Sequence, residues 1–301
     1  LLVKEKGCNV SPLFHYKKMK IKAYAKINLT LDILKKEQKY HRIQTLLYKI
    51  PLCDTLTFTP IQERKIIISS NHKDLPLGSK NLVYKAAMLL TPPKNHDGLR
   101  IHIQKNIPIA AGLGGGSSDA AATLLAVNKL WKLKMPLKKL EALAIKIGMD
   151  VPFFLRANAH PQKQTTALGT HYGEKITPLP SASLPPMIVA LRGKKKSTKK
   201  SYQQIDTKKT GQQTQLTKKF IIALKKHHLF ALTSFCHNDF ETIKPDSLDK
   251  NDQLAQDLKK KLLRSGATLV HTCGSGPALY AFYKTPTAQN KAYKELQKHT
   301  D

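Results

Sequence analysis

The segment whose residue types point most directly to chemistry is a run of glycines and serines. Four glycines fall within five positions at 112–116, two serines follow, and the run stands between a strand-like stretch and a helical pattern. Glycine lets backbone amides approach an anion closely, and a helix start adds unpaired N–H groups and the positive end of its dipole. The run therefore predicts a phosphate-binding loop. The alternative is a turn in which Ser117 or Ser118 caps the helix.

The spacing of this run matches neither of two common nucleotide-binding motifs. No Gly-Lys-Ser/Thr follows the glycines, as a Walker A loop would require. Ser117 stands where the dinucleotide fingerprint has its third glycine. If the run binds phosphate, it belongs to a third type of loop.

A carboxylate and an amine are candidates for the chemistry at such a loop. Phosphorylation of a hydroxyl needs a group that accepts its proton and cations that neutralise the phosphates. Asp150 lies in an apolar stretch at a predicted helix–strand junction, and Lys26 lies on the polar face of a predicted strand. Taken alone, Asp150 is more typical of a turn or cap and Lys26 of a solvated strand. The spacing does not show that they meet.

The elements that must position these residues alternate along the chain. Period-two alternation predicts a strand over 21–34 whose polar face carries Lys22, Lys26, Asn28, Thr30 and Asp32. Shorter strands are predicted at 52–59, 65–70, 99–104, 151–155, 268–273 and 278–283. Helices are predicted at 81–90, with Asn81 as N-cap, and at 118–133, 136–148, 218–234, 252–265 and 287–298. Interleaved strands and helices without an internal repeat predict a mixed α and β fold.

The chain is strongly basic. Its 301 residues include 51 Lys and Arg against 20 Asp and Glu, a formal net charge of +31. The length suggests about two domains or lobes, and the 41% hydrophobic content allows a packed core. The charge attracts polyanions without choosing among nucleic acid, anionic lipid and phosphate substrates. Because the lysines are scattered, a solvated surface is favoured, and we expect no nucleic-acid partner.

Cysteine usage and hydropathy bear on the location of the chain. Its cysteines are Cys8, Cys53, Cys236 and Cys273, and no pair has metal or redox spacing, which predicts reduced thiols and no metal site of the chain's own. No apolar run approaches the roughly 20 residues of a membrane helix. Charges interrupt the N-terminal stretch where a signal peptide would be apolar. We therefore expect a cytoplasmic protein without a membrane partner.

Two segments have few apolar residues or none that fit the strand pattern. Residues 194–219 have one acidic residue among many lysines, which predicts a flexible loop or lid. Residues 1–18 add nothing to the strand pattern, and Met19 is in phase with the alternation that follows. We expect Met19 to be the initiator, or 1–18 to be a dispensable extension.

Four motifs, in order, resemble those of the GHMP small-molecule kinases. They are AKINLTLDI at 25–33, GLGGGSSDAAATL at 112–124, GMDVPFFL at 148–155 and CGSGPALYA at 273–281. The resemblance spans about residues 19 to 283 with order and spacing kept. AKIN, the pair Tyr40–His41 and DVPFF are similar to the branch of the family whose alcohol substrate carries a cytidine diphosphate group.

The resemblance implies a two-lobed α+β fold with the active site in the cleft between lobes. The N-terminal lobe would comprise 19–180 and the C-terminal lobe 181–301, including the Lys-rich loop 194–219. It also implies ATP with Mg²⁺ as the phosphoryl donor and a small alcohol as acceptor. By motif match, Asp150 would be the general base and Lys26 its charged partner.

The resemblance also assigns binding residues. The ATP and phosphate set is Pro108, Ala111, Gly112, Leu113, Gly114, Gly115, Gly116, Ser117, Ser118 and, near the adenine, Asn81. The substrate set is Asn28, Tyr40, His41, Tyr202, Gly274, Ser275 and Gly276. Within it, Tyr40 and His41 would contact the cytosine and Tyr202 would stack on it, while the 274–276 turn would close over the site.

The chain departs from the family pattern in three places. Gln38-Lys39 replaces the usual Asp-Gly before Tyr40. The usual G-x-G-E is stretched over 169–174, after what looks like an insertion at 160–166. Cys273 replaces the usual serine before Gly274. These departures leave the substrate contacts of the hairpin and of the second-lobe rim open.

Three other functions remain open. Another family member could use a different alcohol. A nucleic-acid-binding module would explain the charge of +31, but aromatic residues make up only 7% of the chain and mostly sit in apolar patterns. A nucleotide-binding pseudo-kinase would have less reason to keep both Lys26 and Asp150.

Overall fold

The computed structural model describes residues 18–37, 40–90, 98–193, 198–203, 205, 209–226, 232–242 and 250–298. Its strands are β1 (Met19–Glu37), β2 (Tyr40–Ile61), β3 (Ile66–Ser70), β4 (Gly98–Gln104), β5 (Thr166–Thr170), β6 (Lys175–Leu179), β7 (Met187–Ala190), β8 (His237–Asn238), β9 (Leu269–Thr272) and β10 (Leu279–Phe282). Its α-helices are α1 (Leu82–Met88), α2 (Gly115–Leu130), α3 (Leu137–Ala144), α4 (Val151–Ala159), α5 (Thr198–Gln203), α6 (Thr214–Lys225), α7 (Lys250–Arg264) and α8 (Pro286–Gln297). Short 3-10 helices cover Thr233–Phe235 and Asp239–Thr242.

The strands form two sheets. The larger has the order β3-β4-β2-β1-β8, and the β5–β6 hairpin attaches to β2. The smaller has the order β7-β10-β9. Most pairings are antiparallel, and the exceptions are β1 with β8 and β3 with β4. The predicted α+β class is confirmed.

Three main apolar cores hold these layers together. One lies between the larger sheet and helices α1 to α4, and another between the smaller sheet and helices α7 and α8. A third is shared: Ala25 and Ile27 of β1 pack in it with Phe220 of α6 and Tyr280 and Phe282 of β10. Residues on both sides of position 180 therefore bury one continuous surface, and the predicted lobe boundary there stays a prediction.

Strand β1 is confirmed, but its polar residues do not share one solvated face. Every residue from Ala25 to Ile33 is buried. The register against β2 shifts between Asn28 and Thr30. Asn28 bonds Thr45 of β2, whereas Asp32 bonds Thr217 of α6. A β-bulge re-aims side chains in this way, and it gives the polar residues two separate neighbourhoods.

The segment predicted as a strand at 151–155 is helix α4, so this prediction is wrong. Its apolar run is buried on every side, against α2, α3 and β1. A short continuous apolar run does not distinguish a buried strand from a buried helix. Pro152, in the first turn, favours the helix because a first-turn proline loses no intrahelical hydrogen bond.

Residues 194–219 were predicted as a flexible loop or lid, and the described part of this segment contains helical structure, whereas its flexibility and lid role stay predictions. Helix α5 lies within it and α6 begins at Thr214. Tyr202 and Ile205 pack against Leu31, Ile33 and Ile43. The amide of Gly211 donates to Asp239 Oδ2 at 2.7 Å. Contacts with residues distant in sequence therefore hold the described parts of a segment that is polar overall.

Most of the remaining predicted elements occur close to their predicted positions. Two exceptions are the helix predicted over 218–234, which is α6 and ends at Lys225, and the strand predicted at 52–59, which is the second part of the longer β2. Asn81 caps α1 as expected, and Gly266, with φ +94°, follows the end of α7. Met19 begins β1, whereas residues 1–17 lie outside the described residues, so the expectation about 1–18 stays a prediction. Among the helices that the structure describes, none is both long and apolar enough to cross a bilayer.

Candidate active site

The glycine-rich run forms a loop and the first turn of α2. Gly114 precedes the helix with φ +75°, and the helix begins at Gly115 rather than at the predicted Ser118. The amides of Gly115, Gly116 and Ser117 lie in the first turn, where a helix offers no carbonyl partner. Gly116 is exposed to solvent. Unpaired amides at a helix N-terminus are suited to bind an anion, and phosphate binding by this loop stays a prediction.

The loop is packed tightly against two other elements. The Lys26 amide of β1 donates to Leu113 O, and the Ala278 amide donates to Ala111 O, both at 3.1 Å. Gly112 has φ +86°, and a Cβ there would overlap the carbonyl oxygen of Cys273. A Cβ on Gly114 would lie 2.5 Å from Cζ of Phe154. These glycines are needed for close approach as well as for conformation.

We expect Gly112→Ala to lower the free energy of unfolding and the affinity for ATP together. The new methyl group overlaps backbone that cannot rotate away, and a left-handed non-glycine residue alone costs about 1–3 kcal/mol. Urea unfolding and calorimetry with ATP measure the two effects. Gly78→Ala is the matched control, because nothing lies within 4 Å of a Cβ there. Equal, small effects of both substitutions would show that the loop is not held this way.

Lys26, Asn28 and Asp150 meet beside the loop. Lys26 Nζ lies 2.6 Å from Asn28 Oδ1 and 3.9 Å from Asp150 Oδ2. Lys26 is only 4% exposed, whereas the Asp150 side chain is 39% exposed. The side-chain nitrogen Nδ2 of Asn28 donates to Thr45 Oγ1, and this bond fixes the side-chain oxygen of Asn28 that Lys26 contacts. The structure therefore joins a shielded cation and a solvent-accessible carboxylate that lie 124 positions apart in sequence.

The Asp150 side chain does not cap the helix that follows it, which was the alternative role suggested by its position in the sequence. It occupies the N-cap position of α4, but its backbone is in the right-handed helical region and its side chain makes no capping bond. The carboxylate is directed to Lys26 instead. It is consequently available to accept a proton from a bound alcohol.

A turn that contains Gly274, Ser275 and Gly276 borders Lys26 and the glycine-rich loop. A Cβ on Gly274 would lie 3.5 Å from Lys26 Nζ, from Asn28 Oδ1 and from Gly112 O. The amide of Gly276 closes the turn onto Cys273 O at 2.9 Å. The turn thus lies against the glycine-rich loop and Lys26 at once.

Other predicted ATP ligands lie near the loop with structural partners of their own. Ser118 is buried, and its hydroxyl and carbonyl accept from Asn158 Nδ2 at 3.1 Å. Asn81 caps Val83 and donates to Pro76 O. Ser117 is half-buried beside Gly148, and Pro108 is exposed at the loop entrance. Direct contacts of these residues with ATP remain predictions.

The predicted cytosine-binding aromatics fall into two groups. His41 and Tyr202 stack with ring centroids 5.4 Å apart, and Phe240 meets Tyr202 edge-on. Burial raises the pKa of Tyr202, and the charge of Asp150 adds to the rise. Tyr40 is 56% exposed and packs on Tyr172 instead.

Two of the segments that depart from the family pattern, 160–166 and 169–174, are held by hydrogen bonds, whereas Gln38-Lys39 lies outside the described residues. In the stretched 169–174 segment, His171 has φ +65°. Glu174 Oε1 lies 2.5 Å from His171 Nδ1, and Glu174 Oε2 accepts from the Tyr172 amide. In the 160–166 segment, the buried Lys49 ammonium donates to three carbonyl oxygens, including that of Pro161. The rim therefore has a defined shape.

Sequence reasoning missed a buried charge cluster beneath the phosphate loop. Lys105 Nζ contacts Asp54 Oδ2 and lies 2.8 Å from Asp119 Oδ2, and all three side chains are under 5% exposed. A Cβ on Gly115 would lie 3.2 Å from Lys105 Nζ. Burial raises the pKa of Asp119 to about 7, with a further contribution from the Asp54 charge, while Lys105 opposes the rise. Lys105, three residues before Pro108, and Asp119, directly after the serines, were the available signals.

Comparisons with known proteins agree with this geometry. The models of the GHMP kinases N terminal domain and GHMP kinases C terminal match residues 81–158 and 231–301. The 4-diphosphocytidyl-2-C-methyl-D-erythritol kinase of Caldanaerobacter subterraneus subsp. tengcongensis is 36% identical over 284 residues, 93% of each chain. That of Alkaliphilus metalliredigens is 32% identical, also over 93% of each chain.

A solved structure of similar description shares the fold. It is a crystal structure of 4-(cytidine 5'-diphospho)-2C-methyl-D-erythritol kinase, 27% identical, with a TM-score of 0.71 over 93% of this chain and 96% of the other. With the phosphate loop and the Lys26–Asp150 pair, these similarities show that the chain belongs to the GHMP kinases, a family of small-molecule phosphotransferases.

Proposed function

We propose that this chain transfers the γ-phosphoryl group of ATP to the 2-hydroxyl of 4-diphosphocytidyl-2-C-methyl-D-erythritol. The observation that carries the proposal is the approach of Asp150 to Lys26 beside the amides that begin α2. Relatives of that name, at 32–36% identity over nearly the whole chain, support the choice of alcohol.

The chain's own groups account for each atom that moves. Asp150 accepts the proton of the substrate hydroxyl as its oxygen bonds to the γ-phosphorus. The bond from that phosphorus to the bridging oxygen breaks, and ADP leaves with the electron pair. Lys26 and the amides of the phosphate loop face the charge that develops on the transferring group. Because Lys26 is shielded from water, its charge acts at low screening.

We propose further that ATP binds as its Mg²⁺ complex. The described residues hold no cluster of three or more acidic, His or Cys side chains that could bind a metal. This fits a Mg²⁺ that arrives on the phosphates, since such an ion needs only one or two protein oxygens. The Ser117 hydroxyl, half-buried in the first turn of α2, is the protein oxygen that would hold it. Bound there, the ion would neutralise phosphate charge.

The stacked rings of His41 and Tyr202 support a cytosine-binding site at these two residues. We expect Tyr202→Ala to raise KM for the cytidyl substrate about tenfold or more, because one base–aromatic stack contributes about 1–3 kcal/mol. KM for ATP should stay near the native value. Tyr202→Phe keeps the ring and serves as the control. Equal effects on the two substrates, or none, would refute the stacking role.

Turnover with defined alcohols tests the function itself. A coupled assay of ADP release should show activity with 4-diphosphocytidyl-2-C-methyl-D-erythritol and little with mevalonate or homoserine. Preference for a different alcohol would support the kinase activity and contradict the proposed substrate. ATP binding without turnover of any alcohol would indicate a pseudo-kinase.

A further inference from the structure

Residues 237–241 form a polar segment that reaches several elements around the active site. They comprise β8, which pairs with β1 at Thr30 and Leu31, and the start of the following 3-10 helix. His237, Asn238 and Asp239 are each less than 5% exposed. Polar side chains buried this deeply need hydrogen-bond partners, and their partners show what the segment holds.

Asn238 donates both of its side-chain amide hydrogens to backbone carbonyl groups, one at the end of β9 and one in the turn that borders Lys26. Its Nδ2 donates to Thr272 O and to Gly274 O, each at 2.8 Å. Its Oδ1 accepts from the Phe240 amide at 3.0 Å, which fixes the orientation of the side-chain amide. A primary amide has two donor hydrogens, so the arrangement uses its full donor capacity.

One carbonyl that Asn238 holds belongs to Gly274, which lies close to Lys26, Asn28 and the glycine-rich loop. The space beside Gly274 is bounded by Lys26 Nζ, Asn28 Oδ1 and Gly112 O at equal distances of 3.5 Å from a Cβ built there. A shift of Gly274 by a fraction of an ångström would therefore disturb both the Lys26 ammonium and the phosphate loop. Asn238 itself touches none of the three groups by a hydrogen bond that the structure shows.

The neighbours of Asn238 make a rigid base for this contact. His237 Nε2 lies 2.8 Å from Asp32 Oδ1 of β1, and its Nδ1 lies 3.1 Å from Phe235 O. Asp239 Oδ2 accepts from the amides of Ile33 and Gly211, both at 2.7 Å. The segment is thus fixed to β1, the strand that carries Lys26.

We propose that Asn238 is a positioning residue for phosphoryl transfer. It holds the 274–276 turn against Lys26 and the phosphate loop, and it acts through that turn rather than on substrate or ATP. The inference rests on the proposed kinase function. A positioning role of this kind affects the chemical step more than binding, because small displacements misalign the reacting atoms.

The test compares Asn238→Asp and Asn238→Ala with the native full-length chain. Asp keeps the shape but offers an oxygen to two carbonyl oxygens, and Ala removes the side chain. We expect kcat to fall about 10- to 100-fold while KM for ATP changes less than threefold. Amide hydrogen exchange over 273–279 should become faster in both variants.

The control is Asn128→Ala. Asn128 makes the same kind of contact with a backbone, donating to Met135 O and accepting from Met135 N, at the far end of α2. It should lower the melting temperature by a similar amount and leave kcat near native. An equal loss of kcat in this control would reduce Asn238 to a structural residue, and native kcat in the Asn238 variants would overturn the proposal.

The exchange measurement separates this proposal from the substrate assignment. If the native chain does not phosphorylate 4-diphosphocytidyl-2-C-methyl-D-erythritol, the proposed function fails. The positioning role is then decided by hydrogen exchange alone, and unchanged exchange over 273–279 in Asn238→Asp would overturn it.

Discussion

Replacing Asp150 by Asn is expected to lower kcat by about 10²-fold or more, with ATP still bound at near-native affinity. The carboxamide keeps the shape of the carboxylate but cannot take a proton. The Asp150 side chain is partly exposed and makes no capping bond, so little of the fold depends on its charge. The loss should therefore appear in the chemical step.

Steady-state kinetics and calorimetry with ATP measure the two parts of this prediction. Lys26→Ala should also depress kcat, since its charge matters most as negative charge develops. Glu141→Gln is the matched control, because Glu141 of α3 forms an ion pair with Arg156 of α4, the helix that follows Asp150, away from Lys26 and Asp150. Near-native kcat in folded Asp150→Asn would exclude Asp150 as the base. An effect of Lys26→Ala on KM for ATP alone would exclude the role given to Lys26.

Replacing Lys105 by Met is expected to lower the free energy of unfolding by about 3–5 kcal/mol. The substitution leaves the carboxylates of Asp54 and Asp119 buried together without their cation. Asp54 still accepts from the amides of Asn106 and Ile107. Asp119 Oδ1 is buried with no hydrogen-bond partner among the described residues. Urea unfolding at neutral pH measures the loss.

Asp119→Asn is the control for this cluster. It keeps the Lys105–Asp54 pair and imitates protonated Asp119, so we expect a much smaller loss. Burial raises the pKa of Asp119 to about 7 from an ordinary 3.8. Between about pH 4 and pH 7, the native state therefore keeps a proton on Asp119 that the unfolded chain has released. The contribution of Asp119 is then fully present below about pH 4 and is lost as the pH rises through about 7. Asp119→Asn should remove this dependence. Equal losses of unfolding free energy in Lys105→Met and Asp119→Asn would show that the loss does not come from removing the Lys105 cation.

Local pattern in the sequence carried much of the site. The glycine run at 112–116, Lys26 on an alternating strand and Asp150 after a helix-ending glycine were all visible there. Only the folded chain brings Lys26 within 3.9 Å of Asp150. That distance depends on the packing of α4 against β1, which no short-range spacing encodes.

The errors have one physical origin. Helix α4 was predicted as a strand, and 194–219 as a loop, because burial by distant residues overrides local propensity and polarity. The Lys105 cluster and Asn238 were missed for a related reason. Their roles consist of partners far away in sequence, and each residue alone resembles an ordinary polar side chain.

The pairing of β1 with β8 has a consequence for synthesis of the chain on the ribosome. β1 lies near the N-terminus, but its outer neighbour begins at His237, some two hundred residues later. At translation rates of roughly 5–20 residues per second, β1 is synthesised roughly ten to forty seconds before that neighbour. During this time its edge amides and the apolar face that will meet Phe220 and Tyr280 are uncovered. The nascent chain therefore exposes an unpaired strand edge and an apolar face until the C-terminal part emerges.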